Sequence, residues 1–173
     1  MKIFFFGLFL TLTAFGQHSH EQKQLKQNID VDRYTGIYEY VYRYNSPGLK
    51  ENHYIVLSRS SNTLAGLYYG TSDEFDESRE GYLPGFFVAQ MDSLKIHGDT
   101  IRFTLKVANS DFLTTAVDLN IKSTTEALKA GYKNWGNKIP TSPKKYAGLI
   151  QDSVTIFFKG EKEFLNKTFK KKQ

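Results

Sequence analysis

The sequence predicts an all-β, mainly antiparallel fold, an about eight-stranded small barrel with one short helix near residues 124–130 and a β-sandwich as the alternative. Three observations predict it. Apolar and aromatic residues recur with a period of two along most of the chain. Turn-forming clusters of Asn, Ser, Gly, Asp and Pro separate the alternating runs. Only one segment carries helical signals.

The alternation begins at Tyr38, Tyr40, Tyr42 and Tyr44, interleaved with Ile37, Glu39, Val41 and Arg43. Asn45-Ser46-Pro47-Gly48 turns the chain into a strand from His53 to Ser58. Ser60-Ser61-Asn62 leads to another from Thr63 to Tyr69. Phe86 to Ile96 is a long apolar run ending at His97-Gly98-Asp99, a hairpin signal. Ile101, Phe103, Leu105 and Val107 alternate with polar residues. Asn109-Ser110-Asp111 precedes a predicted strand from Phe112 to Ile121. Further strands are expected at Val154–Phe158 and around Phe164–Phe169. Ser123-Thr124-Thr125-Glu126 fits a capping box, so a short helix runs through Ala127, Leu128 and Ala130 until Gly131 stops it. Residues 131–145 read as loop.

The chain opens with Lys2 and an apolar run from Ile3 to Phe15, closed by the small-x-small pattern Ala14-Phe15-Gly16. That run is too short to cross a bilayer and reads as a secretory signal peptide. An exported protein, periplasmic or extracellular, is the expectation. Removing residues 1–16 leaves 157 residues with a formal charge of +4, since the segment holds one lysine. Residues 17–33 are a polar lead-in, 34–170 a single domain, and 171–173 a basic tail end. The lysine-rich stretch Lys167–Lys172 reads as a frayed, solvated terminus. With no cysteine, a disulfide framework, a thiol nucleophile and thiolate metal ligands are all excluded. Scattered charge without a recognition motif argues against nucleic acid.

The order of elements resembles the lipocalin-like (calycin) barrels across Tyr34–Phe169. Gly36-Ile37-Tyr38 stands where those barrels carry a glycine–x–aromatic pair on the first strand, with Tyr38 replacing the usual tryptophan. The family's Thr-Asp-x-x-Tyr-like loop is absent. The resemblance implies a barrel that holds a ligand in a cavity, without naming the ligand.

The segment 71–85 joins two strands by a loop far longer than a hairpin connection of two to five residues. It packs Asp73, Glu74, Asp76, Glu77 and Glu80 into eight positions of an otherwise basic protein. Clustered hard oxygens are what Ca²⁺ requires, so Asp73, Glu74, Asp76 and Glu77 form a candidate Ca²⁺ site. The spacing misses the EF-hand pattern, because Phe75 falls where a ligand belongs; a solvated acidic loop is the simpler reading. Aromatic residues flank the same loop. Tyr38, Tyr40, Tyr69, Phe75, Tyr82, Phe86 and Trp135 are the candidate ligand-binding set at a barrel mouth, against the simpler reading that an alternating aromatic face is ordinary sheet packing. His53 and His97 read as surface residues. No nucleophile elbow, His-Glu-x-x-His or phosphate-cradling glycine loop occurs. The expected function is therefore an exported, non-enzymatic binding module for a small apolar or amphipathic ligand or a protein partner. A hydrolase of envelope or extracellular polymers using loop carboxylates, and a structural envelope protein without a ligand, are the alternatives. The sequence is silent on oligomeric state.

Overall fold

The computed structural model describes residues 30–42, 53–61, 63–75, 85–161 and 163–173. The expected signal peptide and most of the polar lead-in lie outside these residues. Nine strands form one antiparallel sheet: β1 (Gly36–Tyr40), β2 (His53–Ser60), β3 (Thr63–Thr71), β4 (Phe86–Gln90), β5 (Asp92–His97), β6 (Thr100–Leu105), β7 (Lys144–Asp152), β8 (Thr155–Phe158) and β9 (Lys167–Lys171). The sheet order is β4-β3-β2-β1-β9-β8-β7-β6-β5. The strands thus follow one another around a nearly closed barrel, with β1 and β9 joining the ends of the chain. The seam lies between β4 and β5. The chain itself crosses it at Met91, whose amide donates to the Gly66 carbonyl at 2.9 Å.

The expected barrel class is observed, with three differences in its elements. The apolar run 86–96 is two strands, split at Met91. Phe112–Ile121 is not a strand. Phe112 and Leu113 are both fully buried, which breaks the inside–outside alternation, and Leu113 makes only isolated bridges to Phe86 and Asn134. In exchange, 144–152 is a strand that the sequence reading took for loop and turn. Its central Gly148 hid the pattern: a Cβ there would lie 2.6 Å from the Phe158 ring, so the position stays empty to admit that ring. The helix is present as α1 (Thr124–Lys129), with the Ser123 side chain accepting from the Glu126 amide at 3.2 Å.

Side chains fill the barrel interior. Tyr38, Ile55, Tyr68, Phe87, Ile101, Phe103, Leu105, Ile156 and Phe169 are nearly or wholly inaccessible. The Phe103 and Tyr146 rings stack at 4.9 Å, and Phe158 meets Phe169 edge to face at 5.6 Å. The excursion between β6 and β7 adds Val107, Phe112 and Ile139 to this core. The lysine-rich C-terminal stretch is no frayed tail. β9 pairs with both β1 and β8, and Phe169 points into the core.

Candidate functional site

The base of the 71–85 loop is built around Glu74. Asp73 and Glu74 belong to a single 3-10 turn, Ser72–Glu74, directly after β3. Although it sits in the most acidic stretch of the chain, Glu74 is 1% exposed. Its carboxylate is buried at the end of the barrel where β7 and β9 begin. A carboxylate removed from water persists only when its lone pairs are taken up. Here Lys167 Nζ of β9 pairs with Oε1. His53 Nδ1 of β2 lies 3.0 Å from the same oxygen, and the Tyr146 hydroxyl of β7 donates to Oε2 at 2.7 Å. Lys144 Nζ donates to the Glu74 carbonyl. The Tyr68 hydroxyl, 3.0 Å from His53 Nδ1, completes the cluster from β3. Four strands thus converge on one side chain.

The electrostatics fix the protonation states. Burial alone would raise the Glu74 pKa. The Lys167 ammonium, then His53 and the hydrogen bonds both donate, outweigh it and hold the carboxyl well below the usual range. Burial lowers the His53 pKa against the opposing pull of Glu74. His53 is therefore neutral, and its contact with Glu74 is a hydrogen bond from Nδ1–H rather than an ion pair. Burial, then the Glu74 charge, pushes Tyr68 well above the ordinary tyrosine value. At neutral pH Glu74 is thus ionised, His53 neutral and Tyr68 protonated. Both carboxylate oxygens of Glu74 are engaged, and a carboxyl held ionised is not a general acid.

Next to this cluster, the loop closes on itself. The Ser72 amide donates to the Gly85 carbonyl at 2.8 Å, and the Gly85 amide returns to Ser72 Oγ at 3.2 Å. Phe75 packs edge-on to Phe87 at 5.7 Å and to Phe112 at 6.1 Å. Phe112 meets Trp135 at 5.7 Å, and the Trp135 ring lies so close over Gly85 that an added Cβ would stand 2.8 Å from it. Phe86 exchanges backbone hydrogen bonds of 2.8 and 2.7 Å with Leu113. The two ends of segment 76–84 are held together by a polar clasp, a buried ion pair and a ring cluster.

The candidate residues divide accordingly. Phe75, Phe86 and Trp135 gather at this neck, and Tyr40 stands against His53 at 5.7 Å. Tyr38 and Tyr69 do not join them. The Tyr38 hydroxyl donates to the Tyr34 carbonyl at 3.0 Å, and burial raises its pKa to about 12. The Tyr69 hydroxyl donates to the Ile121 carbonyl, tying down the segment before α1; burial raises its pKa to about 12 as well. Tyr82, Asp76 and Glu77 lie outside the described residues. Of the candidate Ca²⁺ ligands, Glu74 is paired with Lys167, and Asp73 is half-buried within electrostatic reach of His53. Among the described residues no group of three or more His, Asp or Glu is placed to hold a metal ion.

The sequence reading missed His53, Tyr68, Lys144, Tyr146 and Lys167. His53 was expected at the surface but is 4% exposed. One signal was available. Lys167 shares the inward alternation of Phe169, and Lys144 that of Tyr146, so each lysine sits where an apolar residue would be normal.

No protein-family model, curated protein or solved structure matches this chain. Its function is therefore argued from its own geometry. Among the described residues no helix is long and apolar enough to cross a membrane.

Proposed function

We propose that the chain is an exported, non-enzymatic binding module that recognises a protein partner through segment 76–84, presented on the clasped neck at residues 72–75 and 85. The observation that carries this reading is the burial of Glu74 among Lys167, His53 and Tyr146. The arrangement fixes where the two ends of the segment leave the barrel, and a recognition segment with fixed ends has less entropy to lose on binding. Between the anchors the sequence places Arg79 and Tyr82, residue types enriched at protein interfaces and among their hot spots. Export rests on residues 1–16, and kinship with the lipocalin-like barrels rests on the strand order and Gly36-Ile37-Tyr38.

The filled interior favours a partner at the loop over an apolar ligand in the barrel. It also favours the second reading, a structural envelope protein without a ligand. Site-specific photocrosslinking in the native host separates them. A photoreactive residue at Tyr82 captures one defined protein, and the same residue at Leu128, exposed on α1, does not. Identical patterns from both positions would leave only the structural reading.

A further inference from the structure

The outer face of strands β5 to β8 carries positive charge that the fold does not use. Strand pairing sets Lys95 beside Arg102 and Arg102 beside Ala147. Thr104 pairs with Lys145, and Leu149 pairs with both Thr100 and Phe157. Paired residues share a face, so these side chains form one continuous outward patch. Lys159 continues the outward alternation two residues past Phe157. Lys95, Arg102, Lys145 and Lys159 are all exposed, and among the described residues none has an ion pair. The carboxylate on this face of β5, Asp92, is taken by Lys106 at 2.7 Å. Asp99 and Asp152 stand at the hairpin ends, and Glu161 lies beyond β8. In the middle of the cations sits Leu149, 47% exposed, with the half-buried Phe157 beside it.

We propose that this face docks on an anionic lipid surface, with Lys95, Arg102, Lys145 and Lys159 against headgroup phosphates and Leu149 and Phe157 at the edge of the acyl region. Charge complementarity selects the partner's sign. The apolar pair selects a lipid surface over a soluble polyanion, because a polymer of phosphate or sulfate groups offers nothing to an exposed leucine. Cations ringing an apolar centre on a sheet face reproduce the composition of an interfacial surface.

The test is sedimentation of the full chain with vesicles of phosphatidylcholine alone or mixed with phosphatidylglycerol, at low and high salt. The wild type binds the mixed vesicles, salt weakens that binding, and the neutral vesicles do not bind. Each Lys→Gln change at Lys95, Lys145 or Lys159, or Arg102→Gln, lowers affinity about fivefold, and the four together abolish it. Leu149→Ser weakens binding without changing its salt dependence. Lys122→Gln with Lys129→Gln, the same kind of charge removal beside and within α1, does not reproduce the loss. All of these positions are exposed, and unchanged melting temperatures confirm that the variants fold. Equal binding by wild type and the quadruple variant overturns the proposal. So does binding that soluble polyphosphate abolishes and Leu149→Ser leaves untouched, which would assign the patch to a polyanion. Neither result bears on crosslinking at Tyr82, which tests segment 76–84 and not strands β5 to β8.

Discussion

Glu74 decides what this molecule can do at the scale of single residues. Replacing it with Gln removes the charge that Lys167 faces. Breaking a buried ion pair from one side costs about 3–5 kcal/mol. The lower end is expected here, because the Lys167 side chain keeps 26% of its exposure and can rehydrate. The double variant Glu74→Gln, Lys167→Met should recover a large part of the loss, and denaturant unfolding of the three variants measures the coupling. Acid sensitivity follows from the same cluster. The folded protein keeps the His53 pKa below its ordinary value, while the unfolded chain takes up that proton near pH ~6.5. The unfolded state then binds more protons, so stability falls as pH drops below about 6.5. Glu74 acts in the same direction at lower pH. Its depressed pKa contributes stability that is fully present above about pH 4.3 and lost as pH falls through the folded value. Melting temperature should decline from pH 7 to pH 5, and His53→Gln should flatten that decline. An unchanged slope would remove His53 from the explanation. Little of this cluster was legible in the sequence. The acidic run drew attention to Glu74, but its partners come from β2, β3, β7 and β9, and nothing local announces a contact between residues 74 and 167.

Among the elements, strands with clean alternation were legible and strands with a packing exception were not. The run from Ile101 to Leu105 reads correctly because every second side chain fills the barrel and its neighbours face water. β7 was obscured by the glycine that admits Phe158. Gly148→Ala should therefore overpack the interior and cost about 1–3 kcal/mol, visible as a lower denaturant midpoint with an unchanged slope. A neutral result would mean that the Phe158 ring shifts freely, against the dense ring packing described here. Phe112 to Ile121 failed in the opposite sense. Its residues have strand propensity, yet Phe112 and Leu113 both turn inward while Trp135 and Phe86 take their backbone groups. Propensity lost to a tertiary arrangement that covers the core.

For the whole molecule, closure is the governing event. β9 seals the barrel against β1 and β8, delivers Phe169 to the core and brings Lys167 to Glu74. Ending the chain after Asn166 should expose two strand edges and leave Glu74 without its cation. The expected product is aggregated rather than merely destabilised, and solubility on expression checks it. The sequence revealed the barrel class because period and turns are local. It concealed the closure, because a run of lysines looks like a solvated terminus until its inward positions are seen to be Lys167, Phe169 and Lys171.

The measurement that bears most directly on the proposed function is native mass spectrometry of the protein isolated from its own host, beside a variant with residues 76–84 replaced by glycine and serine. The prediction is a chain beginning near residue 17 that carries a protein partner, with that partner lost from an otherwise folded variant. A chain without a partner in both samples, or an apolar small molecule that survives the loop replacement, would contradict the account.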